Sequence, residues 1–91
     1  MDARTRAVEL EDAARLLGGL AAELSRAGLD LGRAATQCLW HGQAADAALG
    51  SLALTIALLE ECALLADEAA RSASRAAVEA WEIVAVLQKV P

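Results

Sequence analysis

The sequence has no phenylalanine and no tyrosine, and its one proline is the final residue, Pro91. With no internal proline, nothing forbids long helices. Trp40 and Trp81 are the sole aromatic side chains, so any core has to be aliphatic. β-branched residues are sparse and gather near the C-terminus, which leaves little from which to build a sheet. The fold class expected is all-α. Histidine occurs once, as His41, and cysteine twice, as Cys38 and Cys62. The cysteine spacing fits neither CxxC nor a zinc pattern, and the lone histidine has no HxxxH partner, so no metal site and no cofactor are expected. Free, partly buried thiols are the expectation. Glu-x-x-His pairs of the kind that build di-metal bundles are missing too, as is any Ser-His or Cys-His arrangement. Glu60, Glu61, Asp67 and Glu68 look like a carboxylate cluster, but their heptad spacing puts them on a solvated face. The chain reads as a non-enzyme with no catalytic residue.

Basic residues are in the minority, 8 against 13 acidic, for a formal charge of −5. They are scattered, and all but Lys89 are arginine. Phosphate binding needs a basic stripe, so nucleic acid is not an expected partner. The preference for Arg over Lys, with abundant Ala and Gly, hints at a GC-rich bacterial genome. The longest central apolar run lies between Asp46 and Glu60, short of the roughly 20 residues a bilayer needs, so no membrane span is expected. The opening stretch MDARTRAVELEDAARLL carries charges throughout and lacks an apolar segment, which argues against an ordinary secretory signal.

What the chain does have is periodicity. Its 91 residues are 57% hydrophobic, much of that alanine, a strong helix former that buries little area. Ala45, Leu49, Leu52, Ile56, Leu59, Ala63, Ala66, Ala70, Ala73, Ala77, Ala80, Val84 and Leu87 alternate steps of four and three, an unbroken heptad seam. Leu58, Cys62, Leu65, Ala69 and Ala76 widen the apolar stripe on one flank. A long amphipathic helix over about 43–89 follows, roughly 70 Å at 1.5 Å per residue. In the first half Leu10, Leu17, Leu24, Leu31 and Cys38 fall seven apart, with Ala14, Ala21, Gly28 and Ala35 between them. This predicts a helix over about 4–38. Gly18, Gly19, Gly28 and Gly32 weaken it by about 1 kcal/mol each relative to Ala, and a break near Gly28 with Asp30 capping a restart is the alternative to one continuous helix.

Between these halves stands CLWHGQAADAAL. Gly42 is suited to the positive φ that ends a helix and turns the chain. Trp40 is placed to fold its ring over the open end, with His41 on the solvent side. The expected architecture is one domain, 1–91: an antiparallel two-helix hairpin with its turn at 39–43.

A Trp-x-Gly turn between two helices, in a short acidic chain without a signal peptide, resembles the WXG (ESAT-like) family of small type VII secretion substrates. The resemblance covers the full length and is carried by Trp40 and Gly42, with His41 at the variable position. The family's C-terminal Tyr-x-x-x-Asp/Glu signal is not reproduced: Trp81 stands at about its place, with Ala85 four residues on. In this family one member of a pair can carry the signal for both. The resemblance implies a route of export independent of a signal peptide, with the protein cytoplasmic beforehand. It implies recognition by a type VII secretion ATPase, and either export of the chain itself or escort of a larger toxin.

Physical reasoning also points to a partner. A two-helix hairpin encloses no interior, and this seam is rich in Ala and Gly. Pairing two hairpins into a four-helix bundle closes the remaining apolar surface. The partner expected is a related WXG-like helical protein, a heterodimer in preference to a homodimer. Its expected interface comprises Leu17, Leu24, Leu31, Leu52, Ile56, Leu58, Leu59 and Leu65. Counting outward from the turn, the start of the first helix falls opposite about residue 78. The tail would then overhang and present Trp81, Ile83, Val84 and Leu87 for recognition by a third surface. The rival reading is a cytoplasmic helical adaptor or homodimeric four-helix scaffold with no link to secretion.

Overall fold

A computed structural model describes residues 2–37 and 42–89. It contains two long helices, α1 (Ala3–Gln37) and α2 (Gln43–Gln88), which form an all-α hairpin with helix–helix contacts. Trp40, His41 and Cys38 lie outside the described residues.

The helix starts have identifiable causes. Asp2 precedes α1, and its carboxylate accepts the Arg4 N–H at 3.4 Å while its carbonyl accepts the Arg6 N–H at 3.1 Å. The first satisfies a donor that the first turn leaves free, and the second is the first bond of the helix itself. Gly42 precedes α2 with φ +97°, and its carbonyl accepts the Asp46 N–H at 3.0 Å. A Cβ at Gly42 would meet nothing within 4 Å, so the backbone, not packing, demands glycine there. Asp46 lies in the first turn of α2, where a negative charge is favoured by the helix dipole.

The break considered at Gly28 does not occur: α1 runs unbroken from Ala3 to Gln37. The seam continues in register on both sides of Gly28, and burying it outweighs the roughly 1 kcal/mol that glycine costs a helix.

The chain divides into two compact units. The terminal unit joins Met1–Gly19 of the α1 half to Ala66–Pro91 of the α2 half, and the central unit is Leu20–Leu65. In the terminal unit Ala7, Ala66, Ala77, Ala80 and Val84 are buried. In the central unit Ala21, Gly28 and Ala63 are buried, while Leu24, Leu31, Leu49, Leu52, Ile56 and Leu59 are only half-buried. Among the described residues no large side chain is fully buried in either unit. The seam follows the heptad spacing to Val84, but Leu87, its expected last member, is 58% exposed.

The exposed surface is correspondingly large. A folded monomer of this mass exposes about 5,000 Å², whereas this 9.4 kDa chain exposes 6739 Å².

By length and composition, one helix reaches what the uninterrupted apolar run did not. α2 is long enough, and a stretch of 18 residues within it apolar enough, to cross a membrane; 6% of that stretch is buried. Counting a run only between charged residues stops at Glu60. Averaged apolarity over a bilayer-length stretch tolerates an acid or two, and so finds what the uninterrupted run did not.

Candidate interaction surface

The outward side of α2 in the central unit is the least conventional surface of the chain. From Ala47 to Leu59 the helix carries no charged residue on any side. A soluble surface helix normally confines its apolar residues to one stripe. Here Leu49, Leu52, Ile56 and Leu59 form the inner row, while Leu54 is 70% and Leu58 61% exposed. Cys62, a free thiol, is exposed, and Leu65 is 59% exposed. Leu54, Leu58, Cys62 and Leu65 follow steps of four, four and three, so they share one helical face. Thr55 and Ser51 beside them do not make the face more polar than their number suggests, because the Thr55 hydroxyl donates back to the Ser51 carbonyl at 3.0 Å. Cys62 is thus exposed, where partial burial was expected, because it belongs to this outward row.

The terminal unit also exposes apolar residues, Leu16 at 76% among them, but intersperses them with ion pairs. Arg15 pairs with Asp12 at 3.2 Å and Arg71 with Asp67 at 2.9 Å, both largely exposed. Such pairs contribute little stability. Beside them lies a shallow groove of ≈ 470 Å³, with Ala14 and Ala70 between Glu11, Arg15, Arg71 and Ser74. Across the two helices, the Trp81 indole Nε1 donates to the Glu11 carboxylate. At the end of α2, Ile83, Val86 and Leu87 form an outward apolar patch beside Glu79 and Glu82.

These contacts correct the expected overhang. Asp2, Ala3 and Arg4 share a groove with Val84, Leu87 and Gln88, so the start of α1 sits beside the end of α2. The count from the turn assumed a level reversal with both helices ending together. The helices are instead offset, so that a Cβ at Gly28 would stand 3.8 Å from that of Leu59. Trp81 is half-buried and tied to Glu11, and Val84 is buried. Of the four tail residues, only Ile83 and Leu87 face outward.

The residues expected at a dimer interface separate into two sets. Leu17, Leu24, Leu31, Leu52, Ile56 and Leu59 are half-buried in the heptad rows of their own chain, whereas Leu58 and Leu65 are exposed. Leu54 and Leu64, both exposed, were not singled out from the sequence. Leu54 was recoverable by extending the Leu58 row back one turn. Among the described residues no group of three or more His, Cys, Asp or Glu side chains comes together to hold a metal ion.

Comparison with known protein families, characterised proteins and solved structures finds no match for this chain.

Proposed function

We infer that this chain is a non-enzymatic helical pairing module, a WXG-like type VII secretion protein that joins a related small helical protein in a four-helix bundle. The observation that carries the pairing is the exposed area. The chain's 6739 Å² exceeds the monomer expectation by roughly 1,700 Å². That excess falls on the scale that one subunit of an obligate interface hides, half of a total of about 2,000–5,000 Å². The half-buried leucines of the central unit support the same reading, since one opposing helix leaves them partly in water. The secretion assignment rests on Trp40-His41-Gly42 between two helices, in an acidic chain. In this reading the pair is engaged by the secretion ATPase, and the chain is exported itself or escorts a larger toxin. It waits in the cytoplasm and leaves without a cleaved signal.

The test is co-expression with the product of an adjacent WXG-like gene, followed by light scattering, then an export assay in a host with and without the secretion ATPase. A one-to-one heterodimer and an ATPase-dependent appearance in the medium are expected. An isolated chain that melts cooperatively as a monomer refutes the pairing. A heterodimer or homodimer that never leaves the cell refutes secretion and leaves the adaptor or scaffold reading.

A further inference from the structure

Resting on that pairing, we propose that the outward row Leu54, Leu58, Cys62 and Leu65 of α2 is the docking face. Its occupant is an amphipathic helix of a different chain, with an apolar stripe bordered by basic residues. The apolar part is the row itself: four exposed residues on one face, with Leu54 at 70%, Leu58 at 61% and Leu65 at 59%. A helix laid against such a row is held by side chains recurring at the same three- and four-residue steps.

The charge around the row selects the partner. Glu61 is three residues beyond Leu58 and four before Leu65, so it borders the row on the helix surface. The other charges on α2 within this unit, Asp46 and Glu60, are also acidic but lie on other sides of the helix, and the first basic residue on α2 is Arg71, outside the unit, so Glu61 is the charge that borders the row. The arginines of the central unit, Arg26 and Arg33, belong to α1. A second copy docked row to row brings the Glu61 carboxylates of both copies into one interface, and like charges juxtaposed across an interface disfavour it. An arginine- or lysine-bordered helix meets the same edge with complementary charge. The same acids disfavour an anionic lipid surface.

The experiment uses the full chain with Cys38→Ser, leaving Cys62 as the sole thiol. Two synthetic helical peptides serve as probes. Both carry a leucine heptad stripe, one bordered by arginines and the other by glutamates. Binding is read by titration, and its location by the rate of maleimide labelling at Cys62. The arginine-bordered peptide is expected to bind at least about tenfold more tightly than its counterpart and to slow Cys62 labelling. Glu61→Arg should reverse the preference, and Leu58→Glu should abolish binding with helix content unchanged by circular dichroism. Equal binding of the two peptides, or self-association in preference to either, overturns the partner chemistry and leaves the pairing standing. If the genomic partner binds and Leu58→Glu has no effect on it, the face is wrong although the proposed function survives. Protection of Cys62 by phosphatidylcholine vesicles and by neither peptide overturns both, and makes the row a lipid-facing surface.

Discussion

The terminal and central units are cut from the same two helices and share one heptad register, yet they bury their seams differently. In the terminal unit the buried residues are Ala7, Ala66, Ala77, Ala80 and Val84. Small side chains are covered by one facing helix although little area is gained, while Leu10, Ala14, Leu17, Ala70 and Ala73 of the same unit stay half-buried. The polar groups stay outside, with Arg15 on Asp12, Arg71 on Asp67 and Trp81 on Glu11. The central unit likewise buries its small Ala21, Gly28 and Ala63, but its seam also holds Leu24, Leu31, Leu49, Leu52, Ile56 and Leu59, all only half-buried. Large side chains supply the area, but a single facing helix covers only part of each. Closure and area are separate requirements, and a two-helix unit meets one at the expense of the other. The central unit therefore has the stronger need for a second layer.

The largest effects should come from exchanging side-chain size between the seams. Ala77 is 4% exposed, so Ala77→Leu forces the terminal helices apart and should destabilise the free chain by about 1–3 kcal/mol. Ile56→Ala removes more atoms but from a half-wet position. It should cost less than the roughly 2–5 kcal/mol typical of a fully buried isoleucine, and more in the paired form than in the free one. Thermal melts of each variant with and without the partner measure both quantities. If Ile56→Ala costs as much in the free chain as in the paired chain, the central seam is already closed and the comparison fails.

The helical class and the inward rows were legible in the sequence because heptad spacing is a local signal. Every member of the α2 row from Ala45 to Val84 lies buried or half-buried, and Leu10, Ala14, Leu17, Ala21, Leu24, Gly28, Leu31 and Ala35 do so on α1. What spacing does not encode is the offset between the helices. That offset moved the α1 start beside Val84 and Leu87, made Trp81 a partner of Glu11, and removed the overhang. Periodicity also ranks positions by direction, not by coverage. It placed Leu52 and Ala77 on the same row without showing that the alanine is sealed and the leucine is not. The division into units was invisible for the same reason, since the register never breaks at Gly19 or Leu65. The Trp40–His41 part of the candidate turn lies outside the described residues.

A smaller effect sharpens the polar side of the comparison. The indole of Trp81 donates to Glu11 across residues that are 70 apart in sequence, making this bond specific to the folded terminal unit. Trp81→Phe keeps most of the apolar contact and removes the donor, and Glu11→Ala removes the acceptor. A double-mutant cycle between them should give a coupling of about 1 kcal/mol, the scale of a net hydrogen bond. Partner binding should change little, since the bond lies within one chain. A coupling near zero with lost partner binding would return Trp81 to the role of an outward recognition anchor. Removing residues 79–91 is a harsher test of the same point. It takes away the buried Ala80 and Val84 and should unfold the terminal unit, leaving no intact pair.

The smallest effect expected is a gain. Gly28 is the one helical glycine whose added Cβ would touch anything outside its own helix, at 3.8 Å from the Leu59 Cβ. That is ordinary van der Waals contact, so alanine fits without moving α2. At Gly19, in the terminal unit, an added Cβ meets nothing within 4 Å. Both Gly28→Ala and Gly19→Ala should stabilise the chain through helix propensity, by up to about 1 kcal/mol each. Gly28→Ala should gain a few tenths of a kcal/mol more, because its methyl group adds apolar contact to a seam with room for it. Chemical denaturation of the two variants in parallel reads the difference directly, with an unchanged m-value confirming that the unfolded state is the same. Should Gly28→Ala destabilise while Gly19→Ala stabilises, the central helices are already in tight contact at Leu59. The half-buried leucines there would then owe their exposure to their length and not to a seam left open.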